Sequence, residues 1–278
     1  MKSKITDVLD IVRGWKIPYD NTLSIAEDKD LIKAYNQALV DDINLGKDVE
    51  KRKGYIHPSS IYNPCDRAIL LEAYGLRDKF KVSDAGMLDN FNLGKIIHKH
   101  CQSYIKKIFD IDSKFFAIED VPISYKPLSI AGELDMLIPK GAVIKHTGKV
   151  LKSWLVVEIK SIAEEYFRKL NEPLFQHILQ VHAYYLLGDL ALYEKYGIRL
   201  KSAYILYCCK DKRFSKKGFF VGRSKYLVDE IKYRVERLSD MFSKNILPPK
   251  VLPEVCNKRC FSYKVCQEFP PGECLLKE

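Results

Sequence analysis

The sequence contains no run of about 18 or more apolar residues, and so no segment suited to crossing a bilayer as a helix. Its opening, Met1-Lys2-Ser3-Lys4-Ile5-Thr6-Asp7-Val8, lacks the apolar stretch of a signal peptide. The expected location is therefore the cytosol, or a host's cytosol for a viral protein. Internal repeats and low-complexity linkers are also missing, which sets aside solenoids and tethered arrays. Acids are in short supply: 36 Asp and Glu stand against 46 Lys and Arg, for a net charge of +10. A surplus of that sign suits a polyanionic partner, although many soluble proteins are basic without one. With 278 residues, 47% of them hydrophobic, the chain can bury one substantial core and carry an added helical lobe.

Residues 1–58 read as a mainly helical extension, with Ile32, Ala34, Tyr35, Ala38, Leu39 and Ile43 at helical spacing. After the turn-forming His57-Pro58-Ser59-Ser60, a helix is predicted over about 90–109 on the stripe Ile97, Cys101, Ile105 and Ile108. Residues 116–160 read as strands, broken at the polar Lys145-His146-Thr147-Gly148-Lys149. A further helix is predicted from Asn171, with Glu172 and Pro173 in its first turn and Gly188 as its end. A strand over 202–207, a return strand over 219–221 and a last helix over about 226–245 complete the pattern. The expected fold is α/β: a central mixed β-sheet flanked by helices, with an N-terminal helical extension (1–58) and a cysteine-rich C-terminus.

The chemistry concentrates in Gly132-Glu133-Leu134-Asp135 and Glu158-Ile159-Lys160. An antiparallel hairpin turning between His146 and Thr147 places Asp135 opposite Glu158 and Glu133 opposite Lys160. Period-two alternation puts these four on one face, and Leu134, Met136, Ile138, Leu155, Val157 and Ile159 on the other. Adjacent carboxylates repel each other, and a divalent cation relieves the repulsion. All-oxygen donors favour Mg²⁺ or Mn²⁺, which would polarise a phosphate and acidify a water. Lys160 points to the same place and can offset negative charge in a transition state. The plain alternative is a pair of solvated carboxylates with a cross-strand salt bridge, since each motif is short and common.

Asp135 with Glu158-Ile159-Lys160 resembles the signature of the PD-(D/E)XK nuclease superfamily, and Gly132-Glu133-Leu134-Asp135 its GxxD form. Three more motifs are similar to those of the RecB-like branch: Gly94-Lys95-Ile96-Ile97-His98 (GxxxH), Gln180-Val181-His182-Ala183-Tyr184 (QxxxY), and the leading segment Ser60 to Arg67 with its Pro64-Cys65. They come in that branch's order and span Ser59 to Cys266. The resemblance implies a restriction-endonuclease-like core over 59–278. It further implies a metal held by His98, Asp135, Glu158 and the Ile159 carbonyl, catalysis by Asp135, Glu158 and Lys160, and contact of Gln180 and Tyr184 with DNA near the site. Viewed without that context, His98 is an ordinary surface histidine and Tyr184 a core residue.

The eight cysteines are not those of a disulfide framework in a cytosolic protein. Cys256-x3-Cys260-x5-Cys266 is dense, with Cys65 far upstream and Cys274 just beyond. Four soft thiolates suit a [4Fe–4S] cluster or zinc. One remote and three close cysteines resemble the iron–sulfur nucleases of the same branch, AddB-like proteins and CRISPR-adaptation exonucleases among them. This implies a [4Fe–4S] cluster on Cys65, Cys256, Cys260 and Cys266 that ties the two ends of the chain, with Cys274 as an alternative ligand. Cys101, Cys208 and Cys209 read as buried thiols. The basic stretch Lys210, Lys212, Arg213, Lys216 and Lys217, with Phe214, suits a phosphate backbone and a stacked base, and equally a solvated loop. The expected activity is metal-dependent hydrolysis of DNA, by an exonuclease acting on single-stranded ends, with a helicase or a recombination or integration protein as partner. The alternative is a non-hydrolytic iron–sulfur DNA-binding subunit of a recombination complex.

Overall fold

The computed structural model describes residues 53–76, 85–110, 118–211 and 215–249, together with Cys266. The expected helical extension lies outside the described residues, apart from 53–58. Helix α1 (Asp66–Ala73) is followed by the long α2 (Ala85–Ile108) and by strands β1 (Phe109–Asp110), β2 (Ile118–Tyr125) and β3 (Ile130–Ile138). A short hairpin of β4 (Val143–Ile144) and β5 (Lys149–Val150) leads into β6 (Trp154–Ile162). Helices α3 (Glu164–Lys169) and α4 (Phe175–Leu187) carry the chain over to β7 (Leu200–Cys209), β8 (Lys216–Gly222) and α5 (Lys225–Ser243).

Five strands form the main sheet in the order β2-β3-β6-β7-β8. Only β6 and β7 run parallel in it, and α3 and α4 provide the crossover that a parallel pair requires. The sheet is mixed and covered on both faces, as the sequence pattern predicts. Met136, Ile138, Leu155, Val157 and Ile159 pack with Ile97, Cys101 and Ile105 of α2. Leu137, Val156, Ala203, Ile205 and Tyr207 pack with α1, α4 and α5 on the other face. Among the described residues no helix is long and apolar enough to cross a membrane.

The β3–β6 register matches the predicted one: Met136 pairs with Val157, Leu137 with Val156 and Ile138 with Leu155. The same register resumes in the short hairpin, where Val143 pairs with Val150 and Ile144 with Lys149. The ladder does not continue in the other direction. Beyond Met136↔Val157 the strands separate, so Glu133 and Lys160 do not pair across it.

Helix boundaries differ from the sequence pattern where tertiary contacts intervene. Helix α4 begins at Phe175, not Asn171, because the Tyr207 hydroxyl accepts the Leu174 N–H at 3.0 Å and sets the first turn there. The α-helical part ends where expected, with Gly188 at the C-cap position. The Gly188 backbone stays right-handed and the chain runs on as a wide π turn (Gly188–Tyr193), ending at the left-handed Gly197. Gly188 is needed for close approach, since a Cβ there would lie 2.7 Å from the Leu200 side chain. At the end of α2, Ile108 is exposed, and the buried position passes to Phe109, the first residue of β1. Lys216 and Lys217 belong to β8 rather than to a loop, and the Lys217 ammonium donates to the Phe167 and Leu170 carbonyls. Lys212, Arg213 and Phe214 lie outside the described residues.

Candidate active site

The opening between β3 and β6 contains the two carboxylates. Asp135 is the first β3 residue past the last β3–β6 pair, and Glu158 the first on β6. The Ile159 N–H, left without a ladder partner on β3, donates to Asp135 Oδ2 at 2.6 Å. A strand residue presents its N–H and C=O to the same side, so the Ile159 carbonyl faces the same opening. Glu158 is only 2% exposed, so the solvated-carboxylate alternative does not describe it. One of its oxygens, Oε1, meets the Lys160 ammonium at 2.6 Å and accepts from Gln180 Nε2 at 2.9 Å. The other, Oε2, is buried with no hydrogen-bond partner.

Gln180 completes a closed triangle, because its Oε1 accepts from Lys160 Nζ at 2.9 Å. One turn on, Tyr184 donates to the Glu133 carbonyl at 2.8 Å and accepts from Gln180 at 3.1 Å. Both side chains are buried and engaged with the carboxylate strands. Tyr184 can lie this close to β3 because position 132 is glycine. A Cβ on Gly132 would sit 2.8 Å from Pro58 and 3.1 Å from the Tyr184 ring. Gly94 plays the same part on the other face, where a Cβ would lie 3.2 Å from Ser161 Oγ. One turn after Gly94, His98 brings Nδ1 to 3.5 Å from Asp135 Oδ1. The structure thus gathers His98, Asp135, Glu158, Lys160, Gln180 and Tyr184 around one opening.

The electrostatics are those of a buried site short of positive charge. Burial pushes the Glu158 carboxyl up to about 7, and Asp135 adds to this, while Lys160 opposes it. Burial pulls the His98 imidazole down, but its contact with Asp135 outweighs this and raises it overall. His177, one turn before Gln180 on α4, is driven down to about 3 by burial and by Lys160. It is therefore neutral, and its Nδ1 lies 2.8 Å from the Tyr207 hydroxyl. His177 and Tyr207 were not legible as part of this neighbourhood, nor was Gln102, one turn beyond His98, which donates to the Asp135 carbonyl at 2.9 Å. The available signal for Gln102 was its i+4 spacing from His98.

These donors suit a hard divalent cation: two carboxylates, an imidazole, and one buried carboxylate oxygen that no protein group satisfies. Among the described residues no three His, Cys, Asp or Glu side chains already converge as a metal cage. The reason is visible in the bonds above, since Asp135 is turned to Ile159 and Glu158 to Lys160 and Gln180.

Of the four cysteines expected to hold a cluster, Cys65 is half-buried at the start of α1 and Cys266 is buried against the larger core. Neither is in a disulfide. Cys256, Cys260 and Cys274 lie outside the described residues. The Cys65 segment is tied to the C-terminal side of the chain. Arg67 donates to the Pro248 carbonyl at 2.8 Å from a fully buried position. Arg234 of α5 reaches Asp66 Oδ1 at 2.6 Å and the Asn63 carbonyl at 2.5 Å, and Arg237 pairs with Asp66.

No protein-family model matches the chain, and no curated protein matches it. Several solved structures are similar. The alkaline exonuclease LHK-Exo of Laribacter hongkongensis is 12% identical over 70% of this chain and 90% of its own, with a TM-score of 0.45. LHK-Exo in complex with dAMP is 14% identical over 69% of this chain and 90% of its own, again at 0.45. A Eubacterium rectale protein assigned provisionally as an exonuclease is 12% identical over 70% of this chain and 82% of its own, at 0.41.

Proposed function

We propose that this chain is a divalent-metal-dependent deoxyribonuclease of the PD-(D/E)XK type, RecB-like branch, which hydrolyses phosphodiester bonds from single-stranded DNA ends. The observation that carries the proposal is Glu158: a carboxylate 2% exposed, beside Asp135, with one oxygen lacking any protein partner. Burying a carboxylate with one oxygen left unsatisfied is costly even when the other is ion-paired, and a bound cation would satisfy that oxygen. Asp135, Glu158, the His98 imidazole and the Ile159 carbonyl would hold Mg²⁺ or Mn²⁺. When bound, the metal supplies Lewis acidity at the scissile phosphate and lowers the pKa of a water.

The remaining work falls to the chain's own groups. Glu158 and Gln180 fix the Lys160 ammonium beside the opening, where it offsets charge developing on the phosphate and orients the attacking water. Tyr184 and Gln180 stiffen the two strands against each other, and Gln180 borders the substrate. The basic surplus of the chain supports binding of the DNA backbone.

In the same proposal Cys65, Cys256, Cys260 and Cys266 hold a [4Fe–4S] cluster as a structural tie, with no electron transfer. The attachment of the Cys65 segment to Pro248 supports this, since it keeps that thiol on the side of the chain from which the cysteine-rich tail departs.

Protein purified without oxygen should be brown and should degrade single-stranded DNA only with added Mg²⁺ or Mn²⁺. Glu158→Ala should lower cleavage on the order of a thousandfold, about 4 kcal/mol of barrier, and leave the colour unchanged. Metal-independent cleavage, or full activity in Glu158→Ala, would place the chemistry elsewhere.

A further inference from the structure

Gln102 is a second oddity at the same opening. It lies on α2 among exposed neighbours, Lys99 and His100, yet is itself only 1% exposed. A carboxamide is buried at this depth where specific bonds hold it. Both N–H groups of Nε2 are used: one reaches Asp120 Oδ1 at 2.8 Å, the other the Asp135 carbonyl at 2.9 Å. Two acceptors on one side fix which end of the amide is nitrogen. The remaining atom, Oε1, has no partner, so the amide is held by its donors alone.

Those acceptors mark a double interruption in the sheet. On the β2 side, Glu119 pairs with Met136 and Val121 with Leu134, but Asp120 and Asp135 between them do not pair. Asp120 has φ 50°, a left-handed backbone that breaks the extended strand there. On the β6 side, pairing has already ended at Met136↔Val157. Asp135 therefore has no register partner in either ladder, and its carbonyl accepts from Gln102. On α2 that glutamine follows His98 by one turn, so a single helix face carries both His98 and the support of Asp135.

We infer that Gln102 is a positioning residue: by holding the Asp135 main chain from the helix that bears His98, it sets the separation of His98, Asp135 and Glu158 so that one cation can bridge them. This rests on the proposed metal-dependent site for its purpose, but its structural content can be read without metal. Gln102→Met keeps length and volume and removes both donors.

Amide hydrogen exchange in metal-free protein reads the effect directly. The Ile159 N–H, bonded to Asp135 Oδ2, should exchange at least about tenfold faster in Gln102→Met, while the Val157 N–H in the intact ladder keeps its rate. Mn²⁺ affinity, followed by the loss of free-Mn²⁺ EPR signal, should fall about tenfold, as for other groups that orient a metal ligand. Cleavage should recover at high Mn²⁺, giving a raised metal requirement with a nearly unchanged plateau. Unchanged Ile159 exchange overturns the inference, and so does a uniform rise at Ile159 and Val157 alike, which reports general loosening. If wild-type protein neither binds Mn²⁺ nor cleaves DNA, the proposed function fails, and the exchange result alone still decides whether Gln102 places Asp135.

Discussion

Strands β3 and β6 are one pairing with two fates. From Met136↔Val157 to Ile138↔Leu155 they are zipped, apolar and buried. In the other direction the same register is abandoned, and Asp135, Glu158 and Lys160 fill the space with charge. The zipped half gains from hydrophobic burial and ladder bonds. The open half keeps a carboxylate 2% exposed beside an aspartate and holds its strands by side chains: Asp135 on Ile159, Gln180 on Glu158 and Lys160, Tyr184 on Glu133. The proposed site requires that the sheet not close over it, and the closed half next door keeps the opening from spreading.

The contrast can be broken by putting a charge in the zipped half. Val157→Asp places a carboxylate at a position 2% exposed, with no cation or donor among its apolar neighbours. It should destabilise the protein by about 3 kcal/mol or more, seen as a lower urea midpoint. A smaller effect is expected from crowding the open half. Gly132→Ala drives a methyl to 2.8 Å from Pro58 and 3.1 Å from Tyr184, and should cost about 1–3 kcal/mol in the same measurement. It should also weaken the Tyr184 bond to Glu133, so cleavage should fall more steeply than stability.

The smallest effect sharpens the comparison, because its sign is reversed. The Glu158 carboxyl is raised from 4.5 to about 7 in the folded chain, so folding favours its protonated form. That contribution is complete below pH 4.5 and is lost as pH rises through about 7. Metal-free wild type should therefore lose thermal stability across this window. Glu158→Gln, which cannot ionise, should show a flatter profile and be more stable than wild type at pH 7.5, by about 1 kcal/mol, although it should not cleave. His98, also raised, contributes a residual slope of the same sign in both proteins. Equal slopes in the two proteins would remove Glu158 as their cause.

The β3–β6 register was legible because the polar turn at His146-Thr147 and the alternation of Met136, Ile138, Leu155 and Val157 specify one pairing. The interruption was not, since it depends on a left-handed Asp120 and on Gln102 from a distant helix. Helix α4 was legible in its middle and at its end by Gly188, and misplaced at its start. There the Tyr207 hydroxyl decides, and it comes from a strand met later in the chain. Gln180 and Tyr184 stood out only through the resemblance of their segment to a QxxxY motif. That they would bind the carboxylate strands could be seen only once α4 lay across β3 and β6, as burial contacts beyond local pattern usually require.

Asp135 has one more consequence. Had the ladder run on, Ile159 would have faced Leu134 and donated its N–H to that residue's carbonyl. The aspartate takes this donor first, at 2.6 Å, and so acts as a doorstop that keeps the seam from healing. Removing it would take away a ligand of the proposed metal and also free two strand edges to knit together, so damage at this position should resist rescue by any amount of added metal.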